Sequence, residues 1–507
     1  MFDIIIIGAG TAGISAYKEA VKHTNNILII NDGPWDTTCA RVGCMPSKVL
    51  ISTANRMHDI QNAQEVGLSA SADISTDQVM EHVRTLRDRF TKATVKDVEQ
   101  WPTEHKISGK AHFIDAKTIE VNGKRYQSKS FILAVGSTPN YDQTWKQELD
   151  DRLITTDQIF ELNTLPKSIA IIGSGVIALE IAQAMHRLGV ETTIFARSKR
   201  IGIFTSPKLQ QLAQEELSKE LNFLFETLPH EVKSTSDGVI LNYKINEKEE
   251  SIQTEYVLSA TGRSSLLDTL KLENIDKSFK DIKLLPVNAK TKQLDNYPIF
   301  IAGDAYTSTP LQHEAAHEGK KVVHNCLNYP QLNSVKTLPP LGIVFSHPEM
   351  AIVGQSYKQL KDDGVDFVTG EASYERQGRA IVLGKNKGAI EVYIERESQK
   401  LLGAELFTEA TEHMAHLLSW IIGEELTLND ILEKPFYHPT LEEGLRTALK
   451  HARRQNNELA MTYSHMGNPT LPSALRGFTS EFGKGSGGSL LLWSPAQLFM
   501  DTCLGLI

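Results

Sequence analysis

Ile4-Ile5-Ile6-Ile7-Gly8-Ala9-Gly10-Thr11-Ala12-Gly13 runs four apolar β-branched residues straight into three glycines. A strand buried on both faces requires an unbroken run of this kind. In the segment that follows, the first glycine permits a tight turn, the second lets a pyrophosphate approach the backbone, and the third lets a helix pack on the strand. Phosphate would then lie at that helix's N-terminus. The helical pattern of Ala12 to Lys22 and a second apolar strand, Ile27 to Ile30, complete a βαβ unit about as long as the fingerprint demands. Glycine-rich turns are common in α/β proteins, so this surrounding unit, rather than the glycines Gly8, Gly10 and Gly13 alone, points to a dinucleotide.

The same pattern returns at Ile169-Ala170-Ile171-Ile172-Gly173-Ser174-Gly175-Val176-Ile177-Ala178. Two such units are far less expected by accident than one, and they imply two dinucleotides, one held tightly and one exchanging. At the end of the first unit's second strand, where an acid normally accepts ribose hydroxyls, stand Asn31 and Asp32. Asn31 can still bond one hydroxyl, or Asp32 can substitute. In the second unit the strand Thr192 to Ala196 ends in Arg197-Ser198-Lys199-Arg200. A missing acid, the cations Arg197 and Arg200, and Ala178 in the third glycine position favour NADP over NAD, against the alternative of a solvated basic turn.

Between the two units lies Thr38-Cys39-Ala40-Arg41-Val42-Gly43-Cys44-Met45-Pro46-Ser47-Lys48. If the intervening residues form the first turn of a helix, the two thiols can approach closely enough for a disulfide. The positive end of that helix, helped by Arg41, would favour a thiolate, the species that exchanges with other disulfides. A structural bridge or two ordinary thiols is the alternative. The closeness of a dinucleotide signature tips the reading to redox chemistry.

The chain has 507 residues, a net charge of −9 and four cysteines. This length suggests two to four domains, and four cysteines are too few for a stapled secreted protein. Lysines and arginines scattered among acids leave no basic face for nucleic acid. No apolar run is long enough to span a bilayer, and Ile4 to Ile7 is too short and wrongly flanked for a signal peptide. A reducing cytoplasm, where Cys39 and Cys44 could cycle, is the expected location, and no metal is expected.

Cys39 to Lys48, taken with the flanking glycine segments, resembles the flavin disulfide reductases, which include dihydrolipoamide dehydrogenase, glutathione reductase and mercuric reductase. The resemblance covers about residues 1 to 454 and implies an α/β fold. That fold has two nested Rossmann-like dinucleotide-binding domains plus a C-terminal α+β dimerisation domain. The implied division is 1–148 for FAD, 149–265 for NAD(P), 266–336 for the return to the FAD domain, and 337–454 for the interface domain of a homodimer.

The resemblance assigns FAD to the first unit and a nicotinamide to the second. It places Thr38, Lys48, Ala111, Gly136, Ser137, Gly303, Asp304, Gln312 and His313 beside FAD, with Asp304 on the ribityl chain. Gly173, Gly175 and Gly262 fall to the nicotinamide. Lys48 pairs with Glu180 near the flavin, Cys44 faces the ring and Cys39 faces outward. A His held by Pro439 and paired with a carboxylate is the arrangement of a general base. The resemblance makes His438, from the partner subunit, that base and Glu443 its support.

Met45-Pro46-Ser47-Lys48, Val176 and Thr440-Leu441 look most like dihydrolipoamide dehydrogenase. The leading expectation is oxidation of a dihydrolipoamide-type dithiol, free or on a lipoyl domain. NADPH-dependent reduction of a small disulfide is the runner-up, and a non-catalytic flavin redox sensor the rival of another class. The tail 455–507 departs from the family and reads as flexible, with a Gly483 to Ser489 linker and a short apolar end at Leu490 to Trp493. A lone Cys503 cannot supply the C-terminal thiol pair of mercuric reductase or the large thioredoxin reductases.

Overall fold

Along Phe2–Ile7, Ile4 and Ile6 enter a cluster with Ala16, Tyr17 and Val322, while Ile5 and Ile7 join Phe113, Phe131 and Leu267 on the other face. None of the four isoleucines is more than 4 % exposed. Two cores on one strand are why its apolar run never alternates. The computed structural model describes residues 1–307, 310–335 and 337–465. The linker at Gly483 to Ser489, the apolar end at Leu490 to Trp493 and Cys503 lie outside the described residues.

Phe2–Ile7 is the centre of a parallel sheet ordered Lys106–Ser108, Ile27–Asn31, Phe2–Ile7, Lys124–Leu133, Ile299–Ile301. The first half of Lys124–Leu133 extends beyond it and carries the antiparallel pair Ala111–Asp115 and Thr118–Val121. The helices Thr11–Ala20 and Gln312–Asn328 cover one face and cross so closely that a Cβ on Gly319 would stand 2.1 Å from the Ala12 carbonyl oxygen. Only glycine fits there.

A second parallel sheet repeats this order with Asn222–Phe225, Glu191–Ala196, Ser168–Ile172, Tyr256–Ser259 and Leu153–Ile154. An antiparallel meander, Glu231–Thr235, Gly238–Ile245 and Lys248–Thr254, precedes the inner strand Tyr256–Ser259. Ser137–Pro139 pairs with Arg263–Ser265 where the chain leaves the first unit and returns to it.

The third unit is an antiparallel sheet ordered Leu341–Val344, Glu349–Gly354, Leu401–Thr408, Ala389–Glu395, Phe367–Ser373. The helices Thr411–Gly423 and Glu442–His465 pack on it through Met414, Leu418, Leu445 and Leu449. The last helix continues past 455, so the part of the tail up to His465 is an extension of the third unit. The fold is the α/β class with two Rossmann-like units and an α+β C-terminal unit that the sequence implies.

Candidate active site

Thr37 accepts the Ala40 N–H at 3.1 Å and caps a short helix, Thr38–Val42. Gly43 then breaks it, and Cys44 begins the long helix Cys44–Gln61. The expectation of a single first turn spanning both cysteines is corrected: they sit on two helices joined at Gly43. A Cβ there would meet Cys39 Cα at 3.3 Å and the Thr38 carbonyl oxygen at 3.2 Å, so glycine lets the chain fold tightly back. Both thiols are free, Cys39 half-buried and Cys44 exposed.

The two sulfurs share a proton unequally. The Cys39 thiol donates to Cys44, and this hydrogen bond, aided by the Lys48 charge, brings the Cys44 pKa down to about 7. The same bond and then burial push Cys39 up. Arg41 does not supply the expected charge, because its Nε is 3.2 Å from Asp36 Oδ1. Lys48, one turn into the helix that Cys44 begins, takes that part, and the thiolate belongs to Cys44 alone.

Lys48 Nζ lies 2.7 Å from Glu180 Oε2 and 4.6 Å from the centre of the Phe345 ring. Glu180 is on Val176–Arg187, the helix of the second dinucleotide unit, and its other oxygen accepts the Phe345 N–H at 2.8 Å. One turn on, Gln183 donates to the His347 carbonyl at 2.9 Å and accepts the His347 N–H at 2.7 Å. Side chains three residues apart share a helix face, so Glu180 and Gln183 together grip the backbone of residues 345–347. Sequence reasoning paired Lys48 with Glu180 and missed Phe345 and Gln183, because their partners are backbone groups or ring faces distant in the chain.

Cys39, Cys44, Lys48, Glu180 and Phe345 wall a cleft of about 460 Å³ that also includes Gly10, Thr38, Gly136, Ser137, Asp304, Gln312 and His313. Gly8 has φ +105 and its Cβ would strike the Ala134 carbonyl oxygen at 2.2 Å, while a Cβ on Gly13 would fall 1.9 Å from the Gly8 oxygen. Gly10 meets nothing within 4 Å, leaving its backbone open to a ligand at the start of Thr11–Ala20. His313 Nε2 is buried without a hydrogen-bond partner in the cleft wall. Burial raises the Asp304 pKa against the pull of Arg263. Arg263, unassigned by sequence beyond its Gly262 motif, donates to the Ser137 hydroxyl at 2.9 Å and carbonyl at 2.7 Å. An open phosphate cradle, an orphaned imidazole nitrogen and a slot beside Cys44 fit FAD.

Asn31 does not face this cleft. Its Oδ1 accepts the Ala9 N–H at 3.0 Å, and its Nδ2 donates to the carbonyls of Gly33 and Pro34, tying the glycine turn to the next loop. Asp32 is exposed beside it. Ala111 and Gly303 are buried and also stand outside the cleft wall.

In the second unit, Gly173 has φ +123 and Gly175 again has nothing within 4 Å. Ala178 is fully buried against the strand. Arg197 and Arg200 are exposed, with no carboxylate within ion-pair distance among the described residues, and Gly262 opens the strand that returns to the first unit. His438 Nδ1 lies 3.1 Å from both Glu443 oxygens, and Glu443 also accepts the Thr440 N–H at 3.1 Å. The imidazole is 71 % exposed and does not reach the cleft of its own chain.

Residues 2–319 match the family described as pyridine nucleotide-disulphide oxidoreductase, and residues 341–449 match its dimerisation domain. A mercuric reductase from Staphylococcus aureus is 30 % identical over 452 residues, covering 88 % of this chain and 82 % of the relative. A dihydrolipoyl dehydrogenase from Geobacillus stearothermophilus is 28 % identical over 448 residues, covering 87 % and 94 %. Among solved structures, LpdA from Mycobacterium tuberculosis superposes with a TM-score of 0.76 at 19 % identity over 90 % of this chain and 100 % of that one. The HOCl-induced flavoprotein disulfide reductase RclA from Escherichia coli does so with 0.70 at 17 %, over 88 % and 98 %. No helix among the described residues is long and apolar enough to cross a membrane. With its paired dinucleotide folds, its thiol pair and a match over most of its length, the chain belongs to the pyridine nucleotide-disulphide oxidoreductases, enzymes that use FAD and NAD(P)H.

Proposed function

We propose that the chain oxidises a small dithiol of the dihydrolipoamide class, free or on a lipoyl domain, and acts as a homodimer. The observation that carries this reading is the unequal thiol pair: Cys44 held near pKa 7 beside Lys48, Cys39 kept protonated next to it. The chain also covers 94 % of the length of the dihydrolipoyl dehydrogenase against 82 % of the mercuric reductase. FAD, when bound, supplies two-electron transfer between the sulfur pair and the nicotinamide.

The chain's own residues do the rest. With Cys39 and Cys44 joined as a disulfide, a substrate thiolate attacks the Cys39 sulfur, a mixed disulfide forms and Cys44 leaves as thiolate. The second substrate thiolate then attacks its own partner sulfur, the cyclic disulfide departs, and Cys39 regains a proton. Cys44 is the better leaving group because the Lys48 ammonium stabilises its charge, and the Cys39 thiol adds its hydrogen bond once the product has departed. His438 of the other subunit accepts the substrate's proton, with Glu443 fixing the ring so that Nε2 points outward. Gly10 and Gly175 present open backbone to the two pyrophosphates.

The exposed Arg197 and Arg200 favour a second reading, NADPH-dependent reduction of a small disulfide. Steady-state turnover decides, comparing dihydrolipoamide with NAD or NADP, glutathione disulfide with NADPH, and mercuric ion with NADPH. Absence of dihydrolipoamide turnover with both nucleotides removes the first reading.

A further inference from the structure

We propose that Glu19, His23 and His324 form a binding site for a transition-metal dication of the zinc class, at the far ends of the two helices that cover the first sheet. Glu19 lies near the end of Thr11–Ala20, His23 in the turn that follows, and His324 in the last part of Gln312–Asn328. Glu19 Oε1 is 3.3 Å from His23 Nε2 and 3.7 Å from His324 Nε2, and all three ligand atoms lie within 4.8 Å of one another. Donors bound at zinc distances in a tetrahedron stand about 3.4 Å apart, so this spacing needs little closing. The imidazoles meet edge to face with centres 5.3 Å apart, both Nε2 atoms turned to one carboxylate oxygen.

An ordinary ion pair would need only one histidine. Here a second imidazole from another helix converges on the same oxygen, and two neutral nitrogens with one carboxylate suit Zn²⁺, Ni²⁺ or Cu²⁺ rather than Ca²⁺ or Mg²⁺. The carboxylate is 9 % exposed and prearranged, while the histidines are 38 % and 45 % exposed, leaving the fourth position open to water. Lys22 holds the other oxygen, Oε2, at 2.8 Å, and Lys320 lies near enough to act on Glu19 electrostatically. Two cations so placed keep the site weaker than a structural zinc centre. A bound ion would staple the ends of helices whose other ends face the FAD cleft, where Ala12 and Gly319 already touch.

The test uses the full-length FAD-loaded protein with Cys39 and Cys44 oxidised, which takes the thiols out of competition. Zn²⁺ is titrated calorimetrically and thermal midpoints are read with and without the ion. Wild type is expected to take up Zn²⁺ at this site with micromolar affinity and to melt higher. His23→Gln and His324→Gln should each weaken that binding about tenfold or more and abolish the thermal shift. Lys22→Gln, which frees the second carboxylate oxygen, should tighten it. Zinc binding and melting unchanged in the His23→Gln/His324→Gln double variant, or no zinc binding by wild type up to millimolar concentration, would overturn the assignment. Both histidines lie outside the proposed catalytic machinery, so loss of zinc binding with turnover retained separates this site from the reading above.

Discussion

Replacing Cys39 by alanine removes the thiol that holds the Cys44 proton affinity down. Cys44 has a pKa of about 7 in the wild type, and the Cys39 hydrogen bond is the largest favourable cause. Without it the value should climb toward the ordinary thiol range of about 8.5, which cuts the thiolate at neutral pH from roughly half to roughly 3 %. Screening in an open cleft and the remaining Lys48 charge soften that limit, so the expected drop in alkylation rate at Cys44 is about five- to tenfold. Cys39→Ser retains a hydroxyl donor and should keep most of the wild-type reactivity. The assay is iodoacetamide labelling of the reduced holoenzyme across a pH series, with the Cys44 peptide quantified by mass spectrometry. If Cys39→Ala and wild type give the same midpoint for Cys44, the hydrogen bond between the thiols is not what sets its reactivity.

Gly10→Ala places a methyl group in open space, so it should leave the melting of the FAD-free protein unchanged while weakening FAD retention on gel filtration. Gly13→Ala drives a Cβ into the Gly8 oxygen and should instead cost about 1–3 kcal/mol of stability in chemical unfolding. Mixing Cys44→Ser and His438→Gln subunits, each inactive alone, should restore about a quarter of the sites if the base acts across a twofold dimer, and none if it acts within one chain. Burial, then Glu412 and Glu409, raise the Glu349 pKa to about 7 from its ordinary 4.5. A carboxyl raised in the folded state contributes fully below about pH 4.5 and loses that contribution as pH climbs through about 7. Glu349→Gln should therefore flatten the decline in unfolding free energy between about pH 4.5 and 7, by an amount on the order of 2 kcal/mol in chemical unfolding, and an unchanged slope would refute it.

The two dinucleotide units were legible because each compresses a strand, a turn and a helix start into ten consecutive residues, and such local patterns survive without knowledge of the rest. The thiol pair and the His438 and Glu443 couple were legible for the same reason. Asn31 misled because an amide at the usual ribose position could as well bond the backbone of its own loop, and the choice depends on where Ala9 and Pro34 come to lie. Arg41 misled because its partner, Asp36, became available only once the short helix turned back. Phe345 and Gln183 were invisible, since what covers Lys48 comes from other units of the chain and no local pattern around Lys48 marks it, and Glu19, His23 and His324 meet only when two helices separated by most of the chain are laid side by side.

The grip of Glu180 and Gln183 on residues 345–347 has a bearing on the thiol pair. The segment so gripped belongs to the unit that matches the dimerisation domain, and its ring rests on the ammonium nearest the reactive sulfur. The ammonium beside the thiol pair therefore keeps its place only while this segment of the third unit stays docked on the helix of the second, so any substitution that loosens residues 345–347 should also reach the Cys44 sulfur. Docking of the third unit and the charge beside the sulfur are, in this molecule, held by one short piece of backbone.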